Sequence, residues 1–353
     1  MTFTVKGYAA PAQGAQLVPF TFERRDLRND DVAIEILYCG VCHSDLHHVN
    51  NDWGRSNYPV VPGHEIIGRV TAVGADVTKF KVGDTVGVGC LVDSCRHCES
   101  CKEDLEQYCE EGATLTYDDF DRHDGKLLFG GYSEQIVVSD RFVLRVPEGL
   151  DLKGAAPLLC AGITVWSPLR HWNVKAGSKV AVVGLGGLGH MALKLAKALG
   201  AEVTLVSRSK GKEEEAYRLG ADHVLISKDE EAMNRAAKSF DLIINTVPYV
   251  HDINPYIATL KRDATLVMIG YLGELKPTVH SAPLVRFRQS IAGSLIGGLK
   301  ETQELLDFCA EKGIVSDVEM VDIHTINDVY KRLEKGDVKY RFVIDMQSLK
   351  QGV

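Results

Sequence analysis

The stretch KVAVVGLGGLG, residues 179–189, determines how the C-terminal half of the chain folds. A short apolar strand runs into the spaced glycines Gly184, Gly186 and Gly189, and a helical pattern follows as far as Leu199. Between a strand and a helix, such glycines permit a tight turn and let a pyrophosphate approach the backbone at the positive end of the helix. A tight turn without a ligand is the alternative. The flanking pattern favours a dinucleotide-binding turn.

Strand and helix signals continue to alternate after this turn. The strand Glu202–Val206 comes next, and helix-forming and strand-forming segments then alternate as far as Ile269, with a helical pattern over Ile253–Leu260 before the last strand. Such alternation predicts a parallel sheet with helices on both faces. Residues 1 to about 150 differ, because their short apolar runs lie between clusters of Gly, Pro and Asp and predict a β-rich unit. The predicted fold class is therefore α/β, with a β-barrel beside a doubly wound sheet.

Length and composition limit the classes of protein to which the chain can belong. With 353 residues, an apolar fraction of 45 % and a charged fraction of 25 %, it predicts about two globular domains. A net charge of −8 argues against a nucleic-acid partner, which would favour a basic surface. The longest apolar run, Ala155–Trp166, falls short of the roughly 18 residues that a membrane helix needs. The N-terminus shows no signal peptide, so we expect a cytoplasmic protein without a membrane partner.

Nine cysteines in a chain expected to be cytoplasmic point to metal binding ahead of disulfides. Four of them, Cys95, Cys98, Cys101 and Cys109, follow the spacing C-x2-C-x2-C-x7-C in a polar segment that is poor in strand signals. Four thiolates at this spacing can surround one zinc ion, and a closed four-sulfur site is structural. The alternatives are free thiols and an iron–sulfur cluster, although a ferredoxin run would have a shorter last gap and a following proline.

A second concentration of ligand-type residues surrounds residue 42. The run CGVCHSDLHH, residues 39–48, is followed by PGHE, residues 62–65, and far downstream by Cys160 within PLLCAG. The two cysteines of the first run can also be read as a redox C-x-x-C pair, but that motif normally opens a helix and this one ends a strand. His64 and Cys160, each taken alone, could be ordinary core residues.

The turn after the strand Glu202–Val206 is basic. It reads SRSKGK, residues 207–212, where a site for NAD would place an Asp or Glu on the ribose 2′-hydroxyl. Hydroxyls, an arginine and lysines can instead bind a 2′-phosphate, for which a guanidinium is the natural bidentate partner. A solvated basic turn is the alternative. The sequence favours NADP over NAD.

Six segments carry a resemblance to a known family: CGVCHSDLH, NYPVVPGHEIIG, DSCRHCESC, PLLCAGIT, GLGGLGH and GDVKYRFVID. They span residues 39 to 345 and resemble the zinc-dependent medium-chain alcohol dehydrogenases, in particular the cinnamyl alcohol dehydrogenase branch with its bacterial aldehyde reductases. The resemblance implies a GroES-like β-barrel catalytic domain over residues 1–153 and 292–353. It implies a Rossmann NADP-binding domain over residues 154–291.

The same resemblance implies a catalytic zinc site. Cys42, His64 and Cys160 match the Cys2His ligand set that is already known for the catalytic zinc of alcohol dehydrogenases. Glu65 matches a carboxylate that can approach this metal. Asp45 matches the acid that orients the ligand histidine. With the four-cysteine site, we expect two zinc ions per chain.

The resemblance also implies how the proton, the substrate and the cofactor are held. Ser44 and His47 match a relay that carries a proton to or from the substrate oxygen. Trp53 and Leu115 lie near positions that line the substrate pocket. Plant members carry an aromatic residue at about the position of Leu115, so we expect a broad substrate range in place of a dedicated cinnamyl function. The predicted cofactor-binding residues are Thr164, Gly184, Gly186, Gly187, Leu188, Gly189, Ser207, Arg208, Ser209, Lys212, Val247 and Arg341.

The predicted reaction is reversible hydride transfer between NADP(H) and a broad range of aldehydes and primary alcohols, aromatic ones included. One alternative is a zinc dehydrogenase of secondary alcohols or polyols, and another is a relative of this fold that has lost its catalytic activity. By analogy with the family, we expect a homodimer.

Overall fold

A computed structural model describes residues 3–270 and 273–350 of the chain. It forms two compact units. The first unit combines the chain up to Cys160 with the chain from Gly297 onward, and the second unit is Ala161–Ile296. No helix within the described residues has both the length and the apolar character needed to cross a membrane.

The regular elements are numbered in chain order. The β-strands are β1 (Phe3–Ala9), β2 (Val18–Arg24), β3 (Asp31–Val41), β4 (Ile66–Val73), β5 (Thr85–Val88), β6 (Leu91–Asp93), β7 (Thr114–Leu115), β8 (Gln135–Ser139), β9 (Leu144–Arg145), β10 (Lys179–Val183), β11 (Glu202–Ser207), β12 (His223–Ile226), β13 (Phe240–Asn245), β14 (Leu260–Met268), β15 (Ser290–Gly293), β16 (Val318–Asp322) and β17 (Arg341–Asp345). The α-helices are α1 (His43–Asn50), α2 (Glu99–Lys102), α3 (Leu152–Ala155), α4 (Ala161–His171), α5 (Gly187–Ala198), α6 (Glu213–Arg218), α7 (Glu230–Arg235), α8 (Asn254–Ile257), α9 (Ser281–Phe287), α10 (Leu299–Lys312) and α11 (Ile326–Glu334). The 3-10 turns are Glu106–Tyr108, Asp140–Phe142, Ala156–Leu159, Lys210–Lys212, Ile323–Thr325 and Met346–Lys350.

In the first unit, β3 is the strand around which the others assemble. It pairs antiparallel with β4, β8 and β17. The sheet continues from β4 to β5 and β9, and β16 runs parallel to β17. The pairing of β3 with β4 shifts register between Ala33 and Ile34 and again between Ile36 and Tyr38. Because bulges of this kind bend a strand, they let the sheet curve around its core.

The second unit contains a parallel sheet in the order β12-β11-β10-β13-β14-β15. Apolar residues of its strands, among them Ala181, Ile243 and Leu266, are at most 1 % exposed. The sheet confirms the α/β fold predicted from the alternation of signals. The chain order reverses at β10, so the carboxyl ends of β10, β11 and β13 lie side by side at one edge, where α/β sheets bind their ligands.

Two details of the second unit differ from the sequence signals. The helical pattern read over Ile253–Leu260 is wrong beyond Ile257, because Leu260 begins β14 and pairs there with Phe240. The edge strand β15 gave no separate strand signal, since its four residues SIAG are small or polar apart from Ile291. Short elements of this kind are set by pairing with a neighbour and not by their own pattern.

The closeness of β3 and β4 gives a test of the first unit. A Cβ added at Gly68 would overlap the Glu35 carbonyl oxygen and the Ile34 side chain. Gly68→Ala should therefore lower the free energy of unfolding by about 1–3 kcal/mol, the usual cost of overpacking. Urea unfolding followed by circular dichroism measures this change. Gly293→Ala is the control, because a Cβ there has nothing within 4 Å. Equal stability of the two variants would contradict the packing described.

Candidate functional site

The first unit gathers four buried ligand-type residues that lie far apart in the sequence. Cys42, His64, Glu65 and Cys160 each place a donor atom within 4.8 Å of the others. Cys42 follows β3 and is the N-cap of α1, and His64 and Glu65 immediately precede β4. Cys160 follows the 3-10 turn Ala156–Leu159. The structure thus brings together the four residues predicted to surround the catalytic metal.

This donor set fits a zinc ion. The sulfurs of Cys42 and Cys160 are 4.0 Å apart, with no disulfide between them. Two thiolates bound tetrahedrally at about 2.3 Å from one ion would be roughly 3.8 Å apart. Glu65 Oε2 is buried and has no hydrogen-bond partner among the described residues, as expected of an oxygen that faces a metal.

Gly40 leaves room for the Glu65 carboxylate. A Cβ at Gly40 would overlap Glu65 Oε2, and the Gly40 N–H donates to the Glu65 carbonyl oxygen at 2.9 Å. The sequence reasoning missed this residue. Its position between the two cysteines of the run CGVC was the available signal, because a glycine within a strand often marks a point where another group lies close to the backbone.

Asp45 orients the ligand histidine. His64 Nδ1–H donates to Asp45 Oδ1 at 3.1 Å, and the N–H of Cys42 donates to Asp45 Oδ2 at 2.8 Å. Since Nδ1 is committed to Asp45, Nε2 is the nitrogen that His64 can offer to a metal. Asp45 itself is fully buried in the first turn of α1. One carboxylate therefore links two metal ligands from separate parts of the chain.

The charges of the cluster shift its pKa values in opposite directions. A hydrogen bond from the Cys160 thiol holds the pKa of Cys42 well below its usual value, against the effect of burial. Burial raises the pKa of Glu65 to about 7, although the positive charge of Arg341 opposes the rise. Burial lowers the pKa of His64, but the charge of Asp45 outweighs it and leaves the pKa well above its usual value. The cluster thus favours a thiolate at Cys42, which is the form that binds zinc.

Arg341 lies at this cluster. It begins β17, is 5 % exposed, and its Nη2 donates to Glu65 Oε1. Its Nε is buried without a hydrogen-bond partner among the described residues. The resemblance had placed Arg341 at the cofactor phosphates, whereas the contact seen in the first unit is the ion pair with Glu65.

The predicted relay residues lie on α1. The Cys42 thiol is 3.5 Å from Ser44 Oγ, so this hydroxyl borders the metal cluster. His47 lies one turn further along, is partly exposed, and its Nδ1 is 2.7 Å from Asp52 Oδ2. Residues three apart on a helix share a face. Ser44 and His47 therefore lie between the metal cluster and solvent.

The two predicted pocket residues lie in different elements of the first unit. The Trp53 ring is 5.3 Å from His47 and 4.9 Å from His48, measured between ring centroids. Leu115 lies in β7, where it pairs with Leu91, and its N–H donates to Asp119 Oδ2 at 2.8 Å. The structure places Trp53 beside the relay histidine.

The four remaining predicted ligands form a closed cluster of sulfurs. Their Sγ atoms also lie within 4.8 Å of one another, and none is in a disulfide: Cys95, Cys98, Cys101 and Cys109. Backbone N–H groups donate hydrogen bonds to the sulfurs. The Cys98 N–H, for example, donates to Cys95 Sγ at 3.3 Å. The N–H groups of Glu110 and Cys101 lower the pKa of Cys98 to about 6. His97 and Glu111 also place donor atoms within 4.8 Å of Cys95, but both are exposed, and four sulfurs alone complete the tetrahedral set of a structural zinc.

In the second unit, the glycine-rich turn lies at the carboxyl end of β10. Gly184 has φ +94°, and a Cβ there would lie 2.9 Å from Thr246 Oγ1. A Cβ at Gly189 would overlap the Gly184 carbonyl oxygen, so this glycine lets α5 pack against the strand. Gly186 has open space and is the N-cap of α5. Gly187 and Leu188 open α5, and the N–H groups in the first turn of a helix suit a phosphate.

The basic turn lies next to the glycine-rich turn. Lys212 Nζ donates to the Leu185 carbonyl oxygen at 3.0 Å, which joins the two turns. The Ser207 hydroxyl donates to the Ser209 carbonyl oxygen at 3.1 Å. The guanidinium of Arg208 lies 5.7 Å from the ring centroid of Tyr249. The sequence reasoning missed Tyr249, because the loop after β13 carries no motif of its own.

The other two predicted cofactor residues also lie in the second unit. Val247 follows β13 and lies beside the glycine-rich turn, with its Cγ2 at 3.2 Å from a Cβ built on Gly184. Thr164 is buried in α4, at 6 % exposure.

Comparison with known families gives two matches. Residues 28–148 match the family described as alcohol dehydrogenase GroES-like domain, and residues 187–311 match the zinc-binding dehydrogenase family. The chain is 53 % identical over 348 residues to NADP-dependent alcohol dehydrogenase C 1 of Mycolicibacterium smegmatis. The aligned region covers 98 % of this chain and 99 % of that protein. It is 51 % identical over 350 residues to aldehyde reductase YahK of Escherichia coli, with the same coverage.

Solved structures agree with these matches. A cinnamyl alcohol dehydrogenase of Sorghum bicolor, SbCAD4, superposes with a TM-score of 0.94 at 48 % identity and covers 98 % of both chains. A cinnamyl alcohol dehydrogenase of Helicobacter pylori in complex with NADP(H) gives a TM-score of 0.91 at 40 % identity, over 98 % of this chain and 99 % of that one.

Metal analysis tests both clusters. The purified protein should contain two zinc ions per chain, and Cys42→Ala and Cys98→Ala should each retain one, because each variant removes a ligand from a different cluster. Cys309→Ala is the matched control, since this buried cysteine belongs to neither cluster, and it should retain two. Elemental analysis by mass spectrometry gives the count. Two zinc ions in Cys42→Ala would contradict the assignment of the mixed cluster.

Proposed function

The chain belongs to the zinc-binding alcohol dehydrogenase family, and from that premise we propose how its residues carry out the reaction. It is an NADP-dependent alcohol dehydrogenase and aldehyde reductase of the cinnamyl alcohol dehydrogenase type. The observation that carries this assignment is the buried cluster of Cys42, His64, Glu65 and Cys160. Retention of these donors argues against a relative of this fold that has lost its catalytic activity.

We assign the catalytic domain to residues 1–153 and 292–353 and the NADP-binding domain to residues 154–291. The four-cysteine cluster of the first unit and the glycine-rich turn of the second unit support two domains with these roles, whereas the compact units divide the chain after Cys160 and after Ile296, which keeps Cys160 with the other metal ligands. A homodimer and a cytoplasmic location are part of the same proposal, as is the absence of a nucleic-acid partner, which the net charge of −8 supports.

The cluster prepares the substrate oxygen for hydride transfer. Zinc held by Cys42, His64 and Cys160 supplies Lewis-acid polarisation of the carbonyl group, and NADPH supplies the hydride for its carbon. Asp45 keeps the His64 imidazole in the tautomer that binds a metal. The pairing with Arg341 holds one Glu65 oxygen and leaves the other, Oε2, free of hydrogen bonds among the described residues, so that Oε2 could serve as a further ligand of a bound zinc.

Reduction also requires one proton at the oxygen, and oxidation releases one. Ser44 Oγ borders the cluster and gives its proton to the developing alkoxide. His47 is the next proton carrier towards solvent, and Asp52 holds its Nδ1. The balanced reaction is aldehyde, NADPH and a proton giving alcohol and NADP⁺.

Four residues of the basic turn select the phosphorylated cofactor. Ser207, Arg208, Ser209 and Lys212 lie where a carboxylate would bind the 2′-hydroxyl of NAD. The Lys212 ammonium donates to the glycine-rich turn, and the Arg208 guanidinium lies over the Tyr249 ring, so both cations are near the edge of the sheet where the cofactor is expected. Trp53 beside the relay histidine and the aliphatic Leu115 support a broad range of aldehydes, aromatic ones included.

The cofactor proposal predicts a strong preference for NADPH over NADH across a panel of aliphatic and aromatic aldehydes. Arg208→Ala should lower kcat/KM for NADPH by about 10- to 100-fold, because a charge-assisted hydrogen bond contributes about 1.5–3 kcal/mol, and leave NADH unchanged. Steady-state kinetics measure both ratios. Arg235→Ala, an exposed arginine on α7, is the control. Faster turnover of ketones or polyols than of aldehydes would favour the secondary-alcohol alternative.

The relay proposal predicts that Ser44→Ala loses turnover without losing metal. We expect kcat to fall by about 10²- to 10⁴-fold, the usual contribution of a positioned proton-transfer group, while both zinc ions remain. Steady-state assays together with a zinc count measure this. Ser100→Ala on α2 is a matched control outside the mixed cluster. Parental kcat in Ser44→Ala would remove this serine from the mechanism.

A further inference from the structure

Asp45 Oδ1 accepts more hydrogen bonds than the ligand histidine alone requires. Besides His64 Nδ1–H at 3.1 Å, it accepts the Gly63 N–H at 3.1 Å and the Tyr117 hydroxyl at 2.8 Å. Each carboxylate oxygen has about two lone pairs, so three donors saturate it. The Tyr117 hydroxyl makes the shortest of the three bonds. The position of the oxygen that holds His64 therefore depends on Tyr117.

The Tyr117 ring also lies against two histidines. It is offset and nearly parallel to the His64 ring, with centroids 5.8 Å apart and an interplanar angle of 27°. The edge-to-face contact with His48 has a centroid distance of 4.9 Å. Tyr117 is 3 % exposed, so no bulk water competes for its hydroxyl. The Asp45 oxygen at 2.8 Å can only accept, so the Tyr117 hydroxyl is the donor of this hydrogen bond.

The flanks of Tyr117 are fixed to the rest of the first unit. The Thr116 hydroxyl donates to the Gly89 carbonyl oxygen at 2.5 Å. On the other side, Asp118 Oδ2 accepts a hydrogen bond from His48 Nδ1 at 2.6 Å, and both groups are buried. The tyrosine therefore lies in a segment that cannot easily shift, and its hydroxyl has a defined place.

The other oxygen of Asp45, Oδ2, is contacted by a second tyrosine hydroxyl, that of Tyr132, at a longer distance. Asp45 Oδ2 accepts the Cys42 N–H at 2.8 Å, and the Tyr132 hydroxyl is 3.4 Å away. A bond of 3.4 Å is near the limit for an O–H donor, whereas 2.8 Å is ideal. Tyr132 thus contributes less to the carboxylate than Tyr117, and it does so on the side away from His64.

We propose that Tyr117 is a positioning residue of the catalytic metal centre, because its hydroxyl fixes the Asp45 oxygen that orients His64. The inference rests on the proposed function in so far as His64 binds zinc. Tyr117 acts only through Asp45 and not on the substrate. Loss of an outer-shell partner of a metal ligand typically costs 10- to 100-fold in metal affinity or activity.

Zinc release tests this role directly, because the four-cysteine site serves as an internal reference. Tyr117→Phe keeps the ring contacts and removes only the hydroxyl. We expect the catalytic zinc to transfer to a coloured chelator about 10-fold faster than in the parent, with an unchanged rate for the structural zinc. In steady-state assays kcat should fall by a similar factor, with little change in KM, because substrate contacts remain.

Tyr8→Phe is the matched control, because it removes a hydroxyl bonded to His324 Nδ1 at 2.6 Å in the same unit, away from the clusters. It should release both zinc ions at parental rates. Tyr132→Phe should release the catalytic zinc faster than Tyr8→Phe but more slowly than Tyr117→Phe. If Tyr117→Phe does not fold, Tyr117→Leu, which also lacks the hydroxyl, decides the question, and a parental rate of catalytic-zinc release in that variant would overturn the proposal.

Parental release of the catalytic zinc in folded Tyr117→Phe would overturn the positioning role. Equally faster release of both zinc ions would also overturn it, since that result indicates a general loosening of the fold. A parent that contains only the structural zinc would instead contradict the proposed function on which the inference rests.

Discussion

Charge balance around one ion holds the catalytic centre together. The thiolates of Cys42 and Cys160 would neutralise a bound divalent cation, and the buried ion pair of Glu65 with Arg341 adds no net charge. Burial of unbalanced charge would cost several kcal/mol per ion, so each of these groups needs its partner. The rest of the first unit serves to bring these side chains together, since they come from widely separated parts of the chain.

The geometry of β3 and β4 provides that assembly. Cys42 directly follows β3, and His64 and Glu65 directly precede β4, the strand that pairs with β3. Gly40 lets the Glu65 side chain lie against β3, because any larger residue would occupy its place. Asp45 then ties the start of α1 to the turn before β4. Barrel, helix and metal ligands are thus parts of one hydrogen-bonded arrangement.

Local patterns predicted what depends on neighbours in sequence. The sequence alone predicted the glycine-rich turn, the strand–helix alternation and the four-cysteine site with its C-x2-C-x2-C-x7-C spacing. The resemblance to a known family predicted the mixed metal cluster. The contacts of Asp45 with Tyr117 and of Glu65 with Arg341 could not be predicted from the sequence, because the two residues of each pair lie 72 and 276 positions apart in the chain. Such pairs are defined by strand order and register, which residue patterns alone do not give.

The central claim is that an ion shared by Cys42, His64 and Cys160 carries the chemistry, and anomalous diffraction at the zinc edge tests it most directly. Crystals of active enzyme should show two peaks, one inside the four-cysteine cluster and one within bonding distance of Cys42 Sγ, Cys160 Sγ and a His64 nitrogen. A single peak at the four-cysteine cluster, in crystals whose dissolved protein still reduces aldehydes, would contradict the account.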